Sequence, residues 1–173
     1  ALIRWYFKGN IVSPGEFIPI LEKDGSICRL DFYVLDKVCA FLKKLREEGQ
    51  DYLKISVNFS RCHMENKHLA EDIVAVIDKH GVPHKYIEVE LTESEDFKDY
   101  EEISKLVNKL KQYDIATSID DFGTGYSNLQ NIGNMTPHIV KLDRSFTIKA
   151  LQHDYENRLM LCIIQMVHSI GLK

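Results

Sequence analysis

No two cysteines in this 173-residue sequence are spaced as a CxxC pair, so it carries neither a disulfide scaffold nor a zinc framework. The four that occur, Cys28, Cys39, Cys62 and Cys162, are expected to be reduced and mostly buried thiols of a cytoplasmic protein. Long hydrophobic runs are also missing. The most apolar stretch, Leu159 to Val167, is far too short to cross a bilayer and is interrupted by Gln165. No secretory leader is visible, because the short apolar start runs into Arg4 and Trp5 without a cleavage region. No membrane contact is therefore expected of the domain itself, while a tether elsewhere in a parent protein stays open. There is no excess of positive charge. A net charge of −4 argues against a general DNA or RNA binder, which carries a basic face. It does not argue against a small anionic ligand held through metal ions.

What is present is the composition of one soluble domain, 45% hydrophobic and 28% charged. Strand-like and helix-like segments alternate, the pattern of parallel βα units. Leu35, Val38, Cys39, Leu42 and Leu45 fall at helical spacing and end before Gly49. Leu69, Ile73, Val76 and Ile77 repeat the pattern and end before Gly81 and Pro83. Ile103, Leu106, Val107 and Leu110 form a third stripe. Asp154 to Ile170 is apolar around much of its circumference and is expected to be well buried. Strands are expected at Tyr52–Phe59, Tyr86–Thr92, Ile115–Asp120 and His138–Leu142. Such units build either a doubly wound sheet or a (β/α)8 barrel, and periodicity does not choose between them.

Side-chain parity narrows the location of a site. Successive strand residues point to opposite faces, so Ile87, Val89 and Leu91 oppose Glu88 and Glu90. Ile55, Val57 and Phe59 likewise oppose Ser56 and Asn58, and Ile115, Thr117 and Ile119 oppose Ala116, Ser118 and Asp120. Each strand places a polar residue near its C-terminal end, where a barrel keeps its active site.

Asn58, Glu90, Asp120, Asp121 and Lys141 then form a candidate set. Hard divalent cations prefer oxygen ligands, and neighbouring carboxylates resist ionising together without a cation between them. Two metals about 3.5–4 Å apart would activate water and stabilise a leaving oxygen in an in-line phosphoryl displacement, with Lys141 orienting the water. Strand-end Asn and Asp also cap helices, and Lys141 also suits a plain ion pair. Spacing alone leaves both readings open.

Longer blocks carry a resemblance. Ala1-Leu2-Ile3-Arg4-Trp5 is similar to an E-A-L-L-R-W opening without its glutamate, and Ser13-Pro14-Gly15-Glu16-Phe17-Ile18-Pro19 is similar to the segment that follows it. Val57-Asn58-Phe59-Ser60, Glu90-Leu91-Thr92-Glu93-Ser94 and Lys141-Leu142-Asp143-Arg144-Ser145-Phe146 match three further blocks. Ile119-Asp120-Asp121-Phe122-Gly123-Thr124-Gly125-Tyr126-Ser127 is the strongest match, with Asn128 after it where serine is more usual. In this order the blocks resemble the EAL domain, a bacterial phosphodiesterase family.

The resemblance implies an α/β fold, a TIM-like (β/α)8 barrel of the EAL type with one strand antiparallel, incomplete in this chain. Residues 1–173 would be a partial EAL domain whose first strand and last βα units lie outside the chain. It implies metal-dependent hydrolysis of cyclic di-GMP to linear pGpG in second-messenger signalling, with Mg²⁺ or Mn²⁺ at a two-metal site and Ca²⁺ inhibitory. Asn58, Glu90, Asp120 and Asp121 would ligate metal, and Lys141 would be catalytic. Arg4 would contact phosphate, where its planar fork fits, and Leu2 would lie under a guanine. Glu93 would brace the Asp121–Ser127 loop, and that loop with the short helical stretch after it would lie near a homodimer interface. A surface arginine at position 4 and a helix-capping carboxylate at position 93 are the plainer alternatives.

The family's opening glutamate and a later A-E-G-V-E glutamate would fall outside Ala1 to Lys173, so the chain alone is expected to be inactive. A cyclic di-GMP-sensing module that no longer cuts and a protein-docking module are the rival functions. Asp121-Phe122-Gly123 spells a kinase motif without its companions, and Gly123 and Gly125 lack the third glycine of a dinucleotide fingerprint. His80 and His84 are separated by Gly81 and Pro83, which break any helix between them. With His63, His68, His138, His153 and His168 they are expected at the surface or in loops. The tyrosines and phenylalanines follow the core pattern and form no stacking platform.

Overall fold

The computed structural model describes residues 1–50, 53–92, 97–123 and 135–173, with only the backbone described at residues 92 and 97–100. The chain opens with a small antiparallel hairpin, β1 (Trp5–Phe7) and β2 (Asn10–Val12). Its two-residue turn, Lys8-Gly9, has positive φ at both positions (48° and 81°), the backbone twist that tight hairpins need. Helix α1 (Pro14–Lys23) follows with proline in its first turn, where the missing N–H costs nothing. Helix α2 (Ile27–Glu47) ends at Gly49, whose φ of 78° closes the helix in the left-handed region.

The centre is a four-stranded sheet in the order β3 (Ile55–Phe59), β4 (Ile87–Thr92), β5 (Ala116–Phe122), β6 (Ile139–Leu142). All three pairings are parallel. Helices α3 (Leu69–Lys79) and α4 (Phe97–Gln112) make the crossovers to β4 and β5. After β6 come α5 (Arg144–Gln152) and α6 (Asp154–Ser169). Neighbouring strands are consecutive in the chain, so the sheet winds one way, as a barrel requires and a doubly wound sheet does not. It is an arc of a (β/α)8 barrel. The Lys173 N–H donates to the carbonyl of His138 and its carbonyl accepts from Val140 N, on the outer edge of β6. No antiparallel strand joins the sheet among the described residues.

Alternation sorts the two faces as expected. Val57, Phe59, Ile87, Val89, Leu91, Ile115 and Ile119 bury their side chains against the apolar stripes of α2, α3 and α4. Burial of this kind stabilises by roughly 25 cal/mol per Å² of apolar surface. The opposite face carries Ser56, Asn58, Glu88, Glu90, Ser118 and Asp120.

Two expectations fail. Helix α6 is not well buried: Ile163 and Val167 face the sheet beside Phe122, but Leu159, Leu161 and Tyr155 are exposed. It packs on the arc's last strand, and the described elements cover only that one side. All four cysteines are free, but only Cys39 is fully buried, while Cys62 and Cys162 are exposed. His63 lies in the turn after β3, within the surface-or-loop expectation, but it is buried there, 3% exposed and packed against Phe32 and Phe59. Among the described residues no helix is long and apolar enough to cross a membrane.

Candidate active site

Strand register assembles the polar cluster. Asn58 pairs with Glu90, Glu90 with Ser118, and residue 92 with Asp120, so three strands present side chains on adjacent rungs at their C-terminal ends. Strand β6 adds Lys141, whose Nζ lies 2.9 Å from Glu90 Oε2 and 3.3 Å from Glu88 Oε1. Glu88 sits one layer deeper. Its Oε1 accepts from Ser118 Oγ (2.8 Å) and Ser56 Oγ (3.0 Å). Burial pushes the Glu88 carboxyl up, but those two hydroxyls and Lys141 outweigh it, so it titrates below its ordinary range. Lys141 responds in kind. Partial burial pulls its ammonium down, and Glu90 and Glu88 more than offset this, so it stays charged.

Glu90 behaves differently. It is 8% exposed, and burial together with a hydrogen bond to Asp120 raises its pKa against the pull of Lys141. Neighbouring carboxylates disfavour each other's charged form, and here the cost falls on Glu90. A hard divalent cation between them would offset that repulsion, and Asn58 stands opposite Glu90 on the neighbouring strand. The oxygen donor set therefore suits Mg²⁺ or Mn²⁺. Among the described residues, no three His, Cys, Asp or Glu side chains gather as a ready metal cage. The set on offer is Glu90, Asp120 and the Asn58 amide, with Asp121 next to Asp120 in the sequence.

Adjacent Asp120 and Asp121 should point to opposite faces of a regular strand. The ladder shows why they need not. Ile119 pairs with Val140 and Phe122 with Leu142, so Asp120 and Asp121 together stand opposite the single residue Lys141. This is a β-bulge, which bends the strand and re-aims side chains. Asp121 takes a left-handed conformation (φ 57°), which aspartate tolerates better than most residues. Burial, Asp120 and Asp143 raise the Asp121 pKa, so it too feels the local excess of carboxylates. Past the bulge, Phe122 returns to the helix face and packs with Ile163 and Val167.

A cavity of about 250 Å³ lies beside this cluster, lined by Leu2, Arg4, Asn58, Asp31 and Ser60 among others. The structure thus brings Leu2 and Arg4 together with Asn58, while Glu90, Asp120 and Lys141 meet on the neighbouring strands. Arg4 is exposed, and its Nη1 donates to the carbonyl of Ile3 at 2.8 Å. Glu93, residues 124–127 of the Asp121–Ser127 loop and the stretch after it lie outside the described residues. The residue missed from sequence is Glu88, which anchors Lys141 from below. Its shared parity with Glu90 was the available signal.

The fold and the polar face define a parallel α/β barrel domain whose acidic and basic groups collect at the C-terminal ends of the strands. The chain belongs to the EAL domain family, whose family model matches residues 1–173. It is similar to the signaling protein YkoW of Bacillus subtilis, at 32% identity over 174 residues, and to the cyclic di-GMP phosphodiesterase NbdA of Pseudomonas aeruginosa, at 31% over 176. Each comparison covers 100% of this chain but only 22% of the relative's length. Among solved structures, the PaMucR phosphodiesterase in complex with c-di-GMP superposes with a TM-score of 0.87 at 26% identity, covering 98% of this chain and 69% of that one.

Proposed function

We propose that this domain serves a metal-dependent phosphodiesterase that opens cyclic di-GMP to linear pGpG. The carrying observation is the Glu90–Asp120 pair, with Lys141 bonded to Glu90 and Asn58 paired with Glu90 on the adjoining strand. Relatives named as cyclic di-GMP phosphodiesterases and the c-di-GMP complex of PaMucR support the choice of substrate.

Asn58, Glu90, Asp120 and Asp121 would hold Mg²⁺ or Mn²⁺, which when bound supplies Lewis-acid charge and makes water acidic enough to act as a nucleophile near neutral pH. Lys141, held between Glu88 and Glu90, orients the attacking water and offsets charge building on phosphate oxygens. Arg4 contacts a phosphate with its planar fork, and Leu2 lies under a guanine. Glu93 braces the 121–127 loop. The domain would act in the cytoplasm, as a homodimer.

The test is chromatographic detection of linear pGpG after incubating cyclic di-GMP with a longer protein containing this chain. Mg²⁺, Mn²⁺ and EDTA arms run side by side. Product in either metal arm and none in EDTA supports the reading. Cyclic di-GMP bound at a defined stoichiometry but never cut by any divalent metal would make this a sensing module instead.

A further inference from the structure

Behind the cluster lies a buried pair with no part in the reading above. His63 Nε2 is 3.0 Å from Asp31 Oδ2, and the two residues are 3% and 7% exposed. The same Oδ2 accepts the backbone N–H of Ser60 at 2.9 Å. Ser60 is the first residue past β3, two positions after Asn58. Its hydroxyl donates to Glu22 Oε1 at 2.9 Å and accepts from Cys62 N at 3.3 Å. One carboxylate on α2 thus fixes the point where β3 ends, and the ring of His63 closes the same turn around it. Phe32 and Phe59 clamp that ring at centroid separations of 5.4 and 5.2 Å.

A buried carboxylate needs hydrogen-bond partners, and here both come from the turn that follows Asn58. We propose that Asp31, oriented by His63, is a positioning residue: it locks the end of β3 so that the Asn58 amide stays on the rung of Glu90, ready to ligate a divalent cation. The proposal rests on the metal reading of Asn58, Glu90 and Asp120. Its logic is that of an outer-shell partner, whose loss typically costs 10–100-fold in metal affinity.

The experiment is a Mn²⁺ titration followed by electron paramagnetic resonance of the free ion, on the longer protein containing this chain. Asp31→Ala should weaken Mn²⁺ binding about tenfold or more. Asp31→Asn keeps an oxygen for the Ser60 N–H, and His63→Gln keeps a donor for Asp31, so both should stay within about threefold of wild type. Asp36→Ala is the control for lost stability, since it breaks the Lys79 and His80 contacts elsewhere on α2, and it should bind as wild type does. Asp31→Ser, too short to reach Ser60, replaces the alanine variant if that one does not fold. If wild type binds Mn²⁺ and the folded Asp31→Ala or Asp31→Ser variant binds equally well, the positioning role is wrong and the metal reading stands. If wild type itself does not bind Mn²⁺, both fall together.

Discussion

Lys141 and Glu90 meet at 2.9 Å across two strands, with the lysine reaching over β5 from β6 to β4. That contact puts a permanent positive charge beside the carboxyl pair and fixes where the ammonium points. Lys141→Ala should therefore lower kcat by about 100-fold or more while KM stays within about threefold. Steady-state kinetics beside Mn²⁺ binding check this, since the metal should still bind. Turnover at the wild-type rate would remove Lys141 from the chemistry.

Asp120→Asn should abolish turnover, and its effect on stability should change sign with the metal. In EDTA near pH 8 the substitution relieves the crowding of Asp120 against Glu90, and Tm should rise by about 2–4 °C, the shift that ~1 kcal/mol gives in a domain of this size. In excess Mn²⁺ the variant should gain less from the ion than wild type and melt below it. Differential scanning calorimetry in both buffers reads the two signs. A variant that melts lower in EDTA as well would contradict the strained-pair account.

The pH dependence of stability follows from the raised pKa of Glu90. A carboxyl that binds its proton more tightly when folded favours the folded state at low pH, and that contribution is lost as pH rises through the folded-state value. In EDTA, the stability of wild type relative to Glu90→Gln should increase as pH falls from 8 toward 4.5, the ordinary value for glutamate. Paired denaturant melts across that window measure the difference. A flat or reversed difference would mean Glu90 is not held proton-bound by its surroundings.

Calcium should separate binding from cutting. It accepts longer and looser oxygen coordination than Mg²⁺, so cyclic di-GMP should bind in Ca²⁺ without turnover. Calorimetry in Ca²⁺ beside product analysis in Mg²⁺ tests this. Cleavage in Ca²⁺ at a rate comparable with Mg²⁺ would show that strict metal geometry is not required.

Assembly is the remaining expectation. If the 121–127 loop and the stretch after it lie at a dimer interface, partner packing and metal-site geometry are coupled. Sedimentation velocity over a range of concentrations should show a dimer whose dissociation tracks loss of activity. A strict monomer with full activity would end that idea.

Much of this was legible in the sequence for physical reasons. The helical stripes ending at Gly49 and Gly81 and the alternation around Glu88 and Glu90 are local patterns, and the structure places them within a few residues of expectation. The hairpin at Trp5–Val12 was not anticipated, although Lys8-Gly9 between aromatic and β-branched residues was its signal. Helix α1 was hidden by Pro19 within it, and α5 by its short length. The burial of His63 could not be read locally, because its partner Asp31 lies 32 residues away on another element. The bulge was illegible for a related reason: the register of β5 against β6 decides it, and neither strand states that register alone.

The bulge also acts as a phase corrector. A strand speaks to two audiences in strict alternation, and two consecutive acidic residues would ordinarily put one of them among the helices. The extra residue at Asp120–Asp121 absorbs that misfit within a single rung, and Phe122 resumes the apolar rhythm as though nothing had been inserted. Deleting Asp121 should thus do more than remove one carboxylate. It would restore plain alternation, with Phe122 still on the helix face opposite Leu142, and it would remove the local bend and left-handed step that re-aim the acids. Anyone transplanting this pair of carboxylates into another barrel must carry over the surplus residue and its left-handed backbone along with the acids.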